Sequence, residues 1–245
     1  MRPRTTLAVA GRVLTQVRRD RRTLAMLLVL PCALVTLLWW IYDDVPGDVF
    51  DRIGPALLAI FPFFVMFLVT SVTTLRERTG GTLERLLTMP MGRLDFLLGY
   101  ALAFGLLAAV QSVLTVAVSV WGLGLTVEGP LWLFAVVAVC DAVLGTAMGL
   151  FVSAFARTEF QAVQFMPAVV IPQILLCGLL VPRDQLPRVL EVVGDLLPLS
   201  FAVDAIDHLS RSDATGEVWQ ELAVIAAYAV VFLSLGALTL SRRTP

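Results

Sequence analysis

The sequence predicts an all-α, polytopic membrane protein with six transmembrane helices, and three observations carry that reading. Of the 245 residues, 58% are hydrophobic and only 15% charged, whereas a soluble domain of this size has about 25% charged residues. The apolar residues are concentrated in uncharged runs, each long enough for the roughly 17–25 residues a bilayer crossing needs. The polar sequence between those runs is too short for a separate soluble domain, so residues 1–245 read as one membrane domain.

Residues 4–22 are basic and amphipathic. Leu7, Ala10, Val13, Leu14 and Val17 follow helical spacing, with Arg12, Gln16 and Arg19 on the other side. This predicts a helix in the membrane interface; the alternative is a plain basic flank of the first span. That span covers about 24–42, contains Pro31 and ends on Trp39, Trp40 and Tyr42, aromatics that mark a membrane–water boundary. The second span is about 54–75 and the third about 96–123, with a polar stretch between them. A turn at Glu128-Gly129-Pro130 leads to the fourth, about 131–156. Within it Gly145 and Gly149 form a G-x-x-x-G, which lets helices approach closely. The fifth, about 164–181, carries Pro167 and Pro172, which bend it by removing backbone hydrogen bonds. An acidic segment, 182–218, precedes the sixth span at about 219–240.

Charge placement sets the orientation. Fourteen arginines lie on the side of the N-terminus and four on the other, while thirteen acids lie opposite the N-terminus and five beside it. Cytoplasmic loops keep the basic residues, so both termini are expected in the cytoplasm of a cell inner or plasma membrane. The first apolar run lacks a small-residue cleavage site, so no cleavable signal peptide is expected. All 18 basic residues are arginine. A P-loop needs a lysine to reach the terminal phosphates, so any ATP must be bound by another polypeptide. Cys32, Cys140 and Cys177 sit in apolar runs at no metal-binding spacing, and His208 is the single histidine. No catalytic constellation can be assembled from this set. An enzyme is not expected, nor is a metal, a cofactor or a nucleic-acid partner in this chain.

Two places could carry function. Asp141 is the one acid deep in a span, where a carboxylate costs roughly 2.5–3.5 kcal/mol on insertion scales and should face protein or water. It is either a substrate or proton site, or a packing residue hydrogen-bonded to Gln111 or Gln173. The second place is the polar stretch after the second span, Arg76-Glu77-Arg78-Thr79-Gly80-Gly81-Thr82-Leu83-Glu84-Arg85-Leu86-Leu87 and onward to Pro90. Thr82 can cap a short helix that Pro90 stops, with Leu83, Leu86 and Leu87 on one face. Such a helix lies on lipid or docks into a partner's groove.

The pattern R-E-R-x-x-G-T-L-E-x-L-x-x-x-P in that stretch resembles the permeases of the type-2 ABC exporters, which include drug-resistance and polysaccharide exporters. The resemblance extends to the basic helix before a proline-containing first span. It also covers the segment after the fifth: Gly178, Pro182, Leu186-Pro187, then Leu197-Pro198-Leu199-Ser200-Phe201-Ala202-Val203-Asp204-Ala205-Ile206. The sequence departs from the family where a usual arginine is replaced by Asp207 or His208, which puts that position's role in doubt.

The resemblance implies a permease dimer, with a homodimer expected, joined to two copies of a cytoplasmic ATPase that holds ATP and Mg. Residues 76–90 would be the coupling helix, with Arg76, Glu77, Arg78, Thr82, Leu83, Glu84, Leu86 and Leu87 meeting the ATPase. Segment 182–218 would form short outer helices that re-enter the membrane. A hydrophobic or amphipathic substrate (a drug, a lipid or a lipid-linked glycan) would pass along the second and fifth spans and out of the cell. Two other readings are a proton-driven secondary transporter relaying through Asp141 and a non-transporting membrane anchor for an ATPase.

Overall fold

The computed structural model describes residues 3–46, 49–80 and 93–239, and among them every regular element is a helix. Helix α1 (Pro3–Arg19) buries Thr6, Val9, Ala10, Val13 and Val17 on a single stripe. The next residue, Asp20, leaves helical backbone and caps α2 (Arg21–Tyr42). Its Oδ1 accepts from the Arg22 and Thr23 amides at 3.1 and 3.2 Å, and its Oδ2 from the Thr23 hydroxyl at 2.7 Å. The Thr23 side chain, followed by its backbone amide, holds the Asp20 carboxyl below the ordinary aspartate range. The predicted segment 4–22 is therefore two pieces, with Arg21 and Arg22 already in the first span's helix.

The chain continues through α3 (Val49–Thr79) and α4 (Arg93–Ala117), which ends in a π-helical turn at Val118–Gly122. Then follow α5 (Leu131–Val152) and α6 (Glu159–Leu176). A 3₁₀ turn (Arg183–Gln185), α7 (Arg188–Leu196) and α8 (Pro198–Arg211) lead to α9 (Gly216–Thr239). Among the described residues six helices are long and apolar enough to cross a membrane: α2, α3, α4 with its π turn, α5, α6 and α9. The protein is thus a polytopic all-α membrane protein. One end of the bundle gathers α1 and most arginines and is called the basic end; the other is the acidic end.

Several boundaries differ from the sequence reading, each for a local reason. Helix α3 runs on through Arg76–Thr79, so these residues are the last turn of a long span rather than the start of a separate helix. Helix α6 starts five residues before position 164 because the Thr158 hydroxyl accepts from the Gln161 amide and caps it there. It stops at Leu176, because Gly178 takes φ +96° and turns the chain. Helix α5 stops at Val152, where the Ser153 hydroxyl donates to the Leu150 carbonyl.

Helices α3 and α5 form the centre and are the most buried of the spans. They run parallel, and the G-x-x-x-G of α5 lies directly on the α3 backbone. A methyl group on Gly145 would collide with the Phe63 carbonyl oxygen, and one on Gly149 would lie 2.5 Å from that of Phe67. In lipid, where apolar surface gains little by leaving the solvent, such close van der Waals packing is a main source of helix association. Helices α4 and α9 pack on α5, α2 on α3 and α4, and α6 on α3. Helix α8 buries Leu199, Ala202, Val203, Ala205, Ile206 and Leu209 against α3, α5 and α9. Helix α1 docks on α4, where Gly99 faces Val9 so closely that a Cβ would sit 2.6 Å from the valine. The apolar stripe predicted to rest on the membrane is therefore used against protein.

Gly145→Val is expected to lower stability by about 1–3 kcal/mol through overpacking, seen as a reduced Tm of the detergent-purified protein. Gly105→Ala should melt like the wild type, because its Cβ would meet only Val143 Cγ2 at an ordinary 3.7 Å. Equal melting of both variants would show that the α3–α5 contact does not hold the bundle.

Candidate functional site

The last turn of α3 brings the described part of the predicted coupling segment to the basic end. Arg76 and Glu77 are adjacent in sequence and so point in different directions on a helix. Arg76 donates from Nε and Nη2 to the two carboxylate oxygens of Glu159, at 2.8 and 3.0 Å. This ties α3 to the first residue of α6 across the surface, with both side chains about half exposed. Glu77 turns inward instead. Its side chain is 4% exposed, and both of its oxygens accept from Arg12 Nη2, at 3.0 and 2.9 Å. Tyr100, fully buried on α4, borders that pair. The basic end of α3 is thus bound on one flank to α1 and on the other to α6.

Glu77 was expected among the residues that meet a partner, and its burial under Arg12 places it inside the protein. Arg76 remains on the surface, already paired. The Arg78 side chain, Thr82, Leu83, Glu84, Leu86 and Leu87 lie outside the described residues. The Arg12–Glu77 and Arg76–Glu159 pairs join residues 65 and 83 positions apart, so no local pattern announced them.

The polar residues within the spans do not form the expected cluster. Asp141 is fully buried on α5, and neither of its carboxylate oxygens has a hydrogen-bond partner among the described residues. The same holds for both amide atoms of Gln111 on α4. Gln173 is committed elsewhere: its Nε2 donates to the Val169 carbonyl at 3.1 Å and its Oε1 accepts from the Leu199 amide at 3.3 Å. It therefore links α6 to the start of α8 and is not the partner of Asp141. A run of hydroxyls in α3 carries no sequence motif, and its Thr70, Ser71 and Thr74 are buried with no hydrogen-bond partner among the described residues. Thr70 and Ser71 lie where Gly149 presses on α3.

At the acidic end a cavity of about 680 Å³ opens between the starts of α3 and the 3₁₀ turn, the end of α6, and α8. Ile53, Ala56, Leu179 and Val203 line its apolar part, and Arg52 and Asp184 are on its wall. Arg183 pairs there with Asp204, and lies 3.5 Å from Asp195. Burial raises the Asp204 carboxyl above the ordinary aspartate range, and Arg183 offsets part of that rise. His208 Nδ1 lies 3.3 Å from Glu221 and 3.7 Å from Glu217 on α9. Arg183, Asp204, Asp207 and Arg211 also line it, so charged and apolar side chains share the wall, a mixture that suits an amphipathic molecule.

The two ion pairs at the basic end should differ in strength. Glu77→Gln or Arg12→Gln is expected to lower stability by about 2–3 kcal/mol, below the full value for a buried pair because Arg12 is 35% exposed. Arg76→Gln should lower it by about 0.2–1 kcal/mol, as for exposed pairs. Double-mutant cycles on each pair, read by denaturation in detergent, measure the two couplings. A coupling at Arg76–Glu159 equal to that at Arg12–Glu77 would contradict this ranking.

A model of the ABC-2 type transporter family matches residues 4–209, from α1 to α8. The "Probable multidrug ABC transporter permease YbhR" of Escherichia coli is 28% identical over 169 residues, 69% of this chain and 46% of the relative. A second Escherichia coli relative, the "Probable multidrug ABC transporter permease YbhS", is 28% identical over 194 residues, covering 77% and 51%. The "ABC transporter G family member 20" of Dictyostelium discoideum is 24% identical over 206 residues, covering 83% and 28%. The chain thus spans from about a quarter to about half the length of these curated relatives. The family match extends over most of the chain and takes in five of the six helices able to cross a membrane: the chain belongs to the ABC-2 type transporter family.

Proposed function

We propose that this protein is the membrane permease of an ATP-driven exporter, with its basic end in the cytoplasm. The observation that carries the reading is the course of α3. It crosses the centre of the bundle and runs without interruption to Thr79. There it leads directly into the segment whose motif resembles the coupling helix of type-2 exporters. A separate ATPase, in two copies, binds ATP and Mg, and its closure pushes on that segment. Two permease chains, as a homodimer, enclose the path. Leu83, Leu86 and Leu87 enter a groove on the ATPase, while Thr82, Glu84 and the arginines Arg76 and Arg78 border it. Motion of α3 is passed to α1 through Arg12–Glu77 and to α6 through Arg76–Glu159. Access then alternates between the two sides of the membrane.

The cargo is a hydrophobic or amphipathic molecule, a drug, lipid or lipid-linked glycan, carried outward and released past the acidic-end cavity. Support for amphipathic cargo comes from that cavity's mixed apolar and charged lining, and from the multidrug permeases among the relatives. The buried and unpartnered Asp141 carboxyl favours one rival, in which a proton gradient drives transport through that residue.

Reporter enzymes active only outside the cytoplasm should be active when fused at Ser212 and silent when fused at Gly80. The reverse pattern would invert the bundle and remove the coupling assignment. The transport reading is tested in inverted vesicles containing the permease and its ATPase. ATP should stimulate uptake, and Asp141→Asn, which keeps size and hydrogen-bonding capacity, should retain most of it. Leu83→Asp/Leu87→Asp should abolish uptake and ATPase co-purification at unchanged membrane levels, since losing an apolar anchor commonly costs more than about 1 kcal/mol. Uptake that needs a proton gradient but no ATP, and that vanishes in Asp141→Asn, would establish the rival.

A further inference from the structure

We propose that the outward face of α1 is a binding site for the headgroup of an anionic phospholipid. The depth of α1 is given by three contacts. Arg12 meets Glu77, two residues past Leu75, where the uncharged run of α3 ends. Val9 meets Gly99, four residues past Asp95, after which the uncharged run of α4 begins. The helix ends at Arg19, close to Arg21 and Arg22, after which the uncharged run of α2 begins. Three spans therefore end level with α1, which places it along the boundary plane where lipid phosphates lie.

The surface α1 offers at that depth is cationic. The helix has no acidic residue. Its apolar stripe is spent on α4, so it cannot hold the membrane by inserting that face. On the opposite side Ala8, Gly11, Arg12, Thr15, Gln16 and Arg19 line a shallow trough of about 590 Å³. These positions are spaced three and four apart, so they share one face. The small residues Ala8 and Gly11 leave room between the longer side chains. Arg12 is neutralised by Glu77, but among the described residues no ion pair engages Arg4, Arg18, Arg19, Arg21 or Arg22. All five are exposed.

A phosphodiester beside Arg19, within reach of the Gln16 amide, would receive a charge-assisted hydrogen bond and the field of the neighbouring arginines. Basic pockets next to transmembrane helices hold lipid headgroups in this way. The site is separate from cargo transport, and its occupancy can be measured without ATP or an ATPase, so its failure and that of the exporter reading are distinguishable.

The test titrates dioleoylphosphatidylglycerol or dioleoylphosphatidylcholine into the delipidated full-length protein and counts retained lipid by native mass spectrometry. The wild type should retain phosphatidylglycerol about thirtyfold better, as expected for two engaged arginines at about 1 kcal/mol each. Arg18→Gln/Arg19→Gln should remove that preference. Gly11→Leu should reduce it by filling the trough at unchanged charge, and it should fold normally because a Cβ there meets nothing within 4 Å. Equal retention of the two lipids by the wild type, or an undiminished preference in both variants, overturns the proposal. So does loss of the preference on adding excess inorganic phosphate, which would mark a site for free anions. A Gly11→Cys probe should be shielded from a soluble maleimide in phosphatidylglycerol vesicles. Shielding only on addition of the partner ATPase would make the trough a protein interface and overturn the lipid assignment.

Discussion

The contact between α5 and α3 is the constraint on which the bundle depends. Inside a membrane the hydrophobic effect does not draw helices together, so association rests on how closely backbones can approach. Gly145 and Gly149 bring α5 onto the carbonyls of Phe63 and Phe67, with no space left for a Cβ at either position. Because α5 is seated there, α4 and α9 can pack on its other sides, and α8 can close over its acidic end. The remaining spans have more peripheral contacts: α2, α6 and α9 keep much of their surface outside the core. Such surface must face lipid or another chain.

Electrostatics then organises the two ends differently. At the basic end, charges are used to join helices: Glu77 with Arg12 beneath the surface and Arg76 with Glu159 upon it. The Arg12–Glu77 pair carries more risk, because losing Arg12 strands the buried Glu77 carboxylate in a dry place. At the acidic end, Arg183 draws the 3₁₀ turn and α8 together beside an open cavity. A desolvated carboxylate such as Asp204 is tolerable there because a guanidinium lies against it.

What could be read from the sequence follows from the range of each interaction. The six spans were legible because bilayer thickness demands an unbroken apolar run, and the G-x-x-x-G was legible because it is local. Helix ends were not, because a helix can continue past the bilayer through polar residues. Arg76–Thr79 extend α3 in this way, and Glu159–Val163 begin α6 before the run that looked apolar enough. The basic-end ion pairs were hidden by separations of 65 and 83 residues. Amphipathicity was visible in residues 4–22, but periodicity shows only that a face is apolar, and here α4 rather than lipid covers it. For Asp141 the residue type signalled a special position, yet Gln173 is held by Val169 and Leu199, and nothing in the spacing could reveal that.

The two halves of α3 differ mechanically, and this connects the ends. Pro55 and Pro62 lie in its acidic half, where each removes a backbone hydrogen bond and permits bending. Ala56, between them, lines the cavity. From Phe63 to Thr79 the helix contains no proline, and along this stretch it is pressed by the two α5 glycines and bound by both basic-end ion pairs. A displacement applied at Thr79 therefore meets a stiff, clamped shaft and is carried past the α5 contact before reaching a segment that can bend. Part of the cavity wall, from Val49 to Ala56, belongs to that proline-containing segment, so the cavity is built on the half of α3 that its backbone leaves freest to bend.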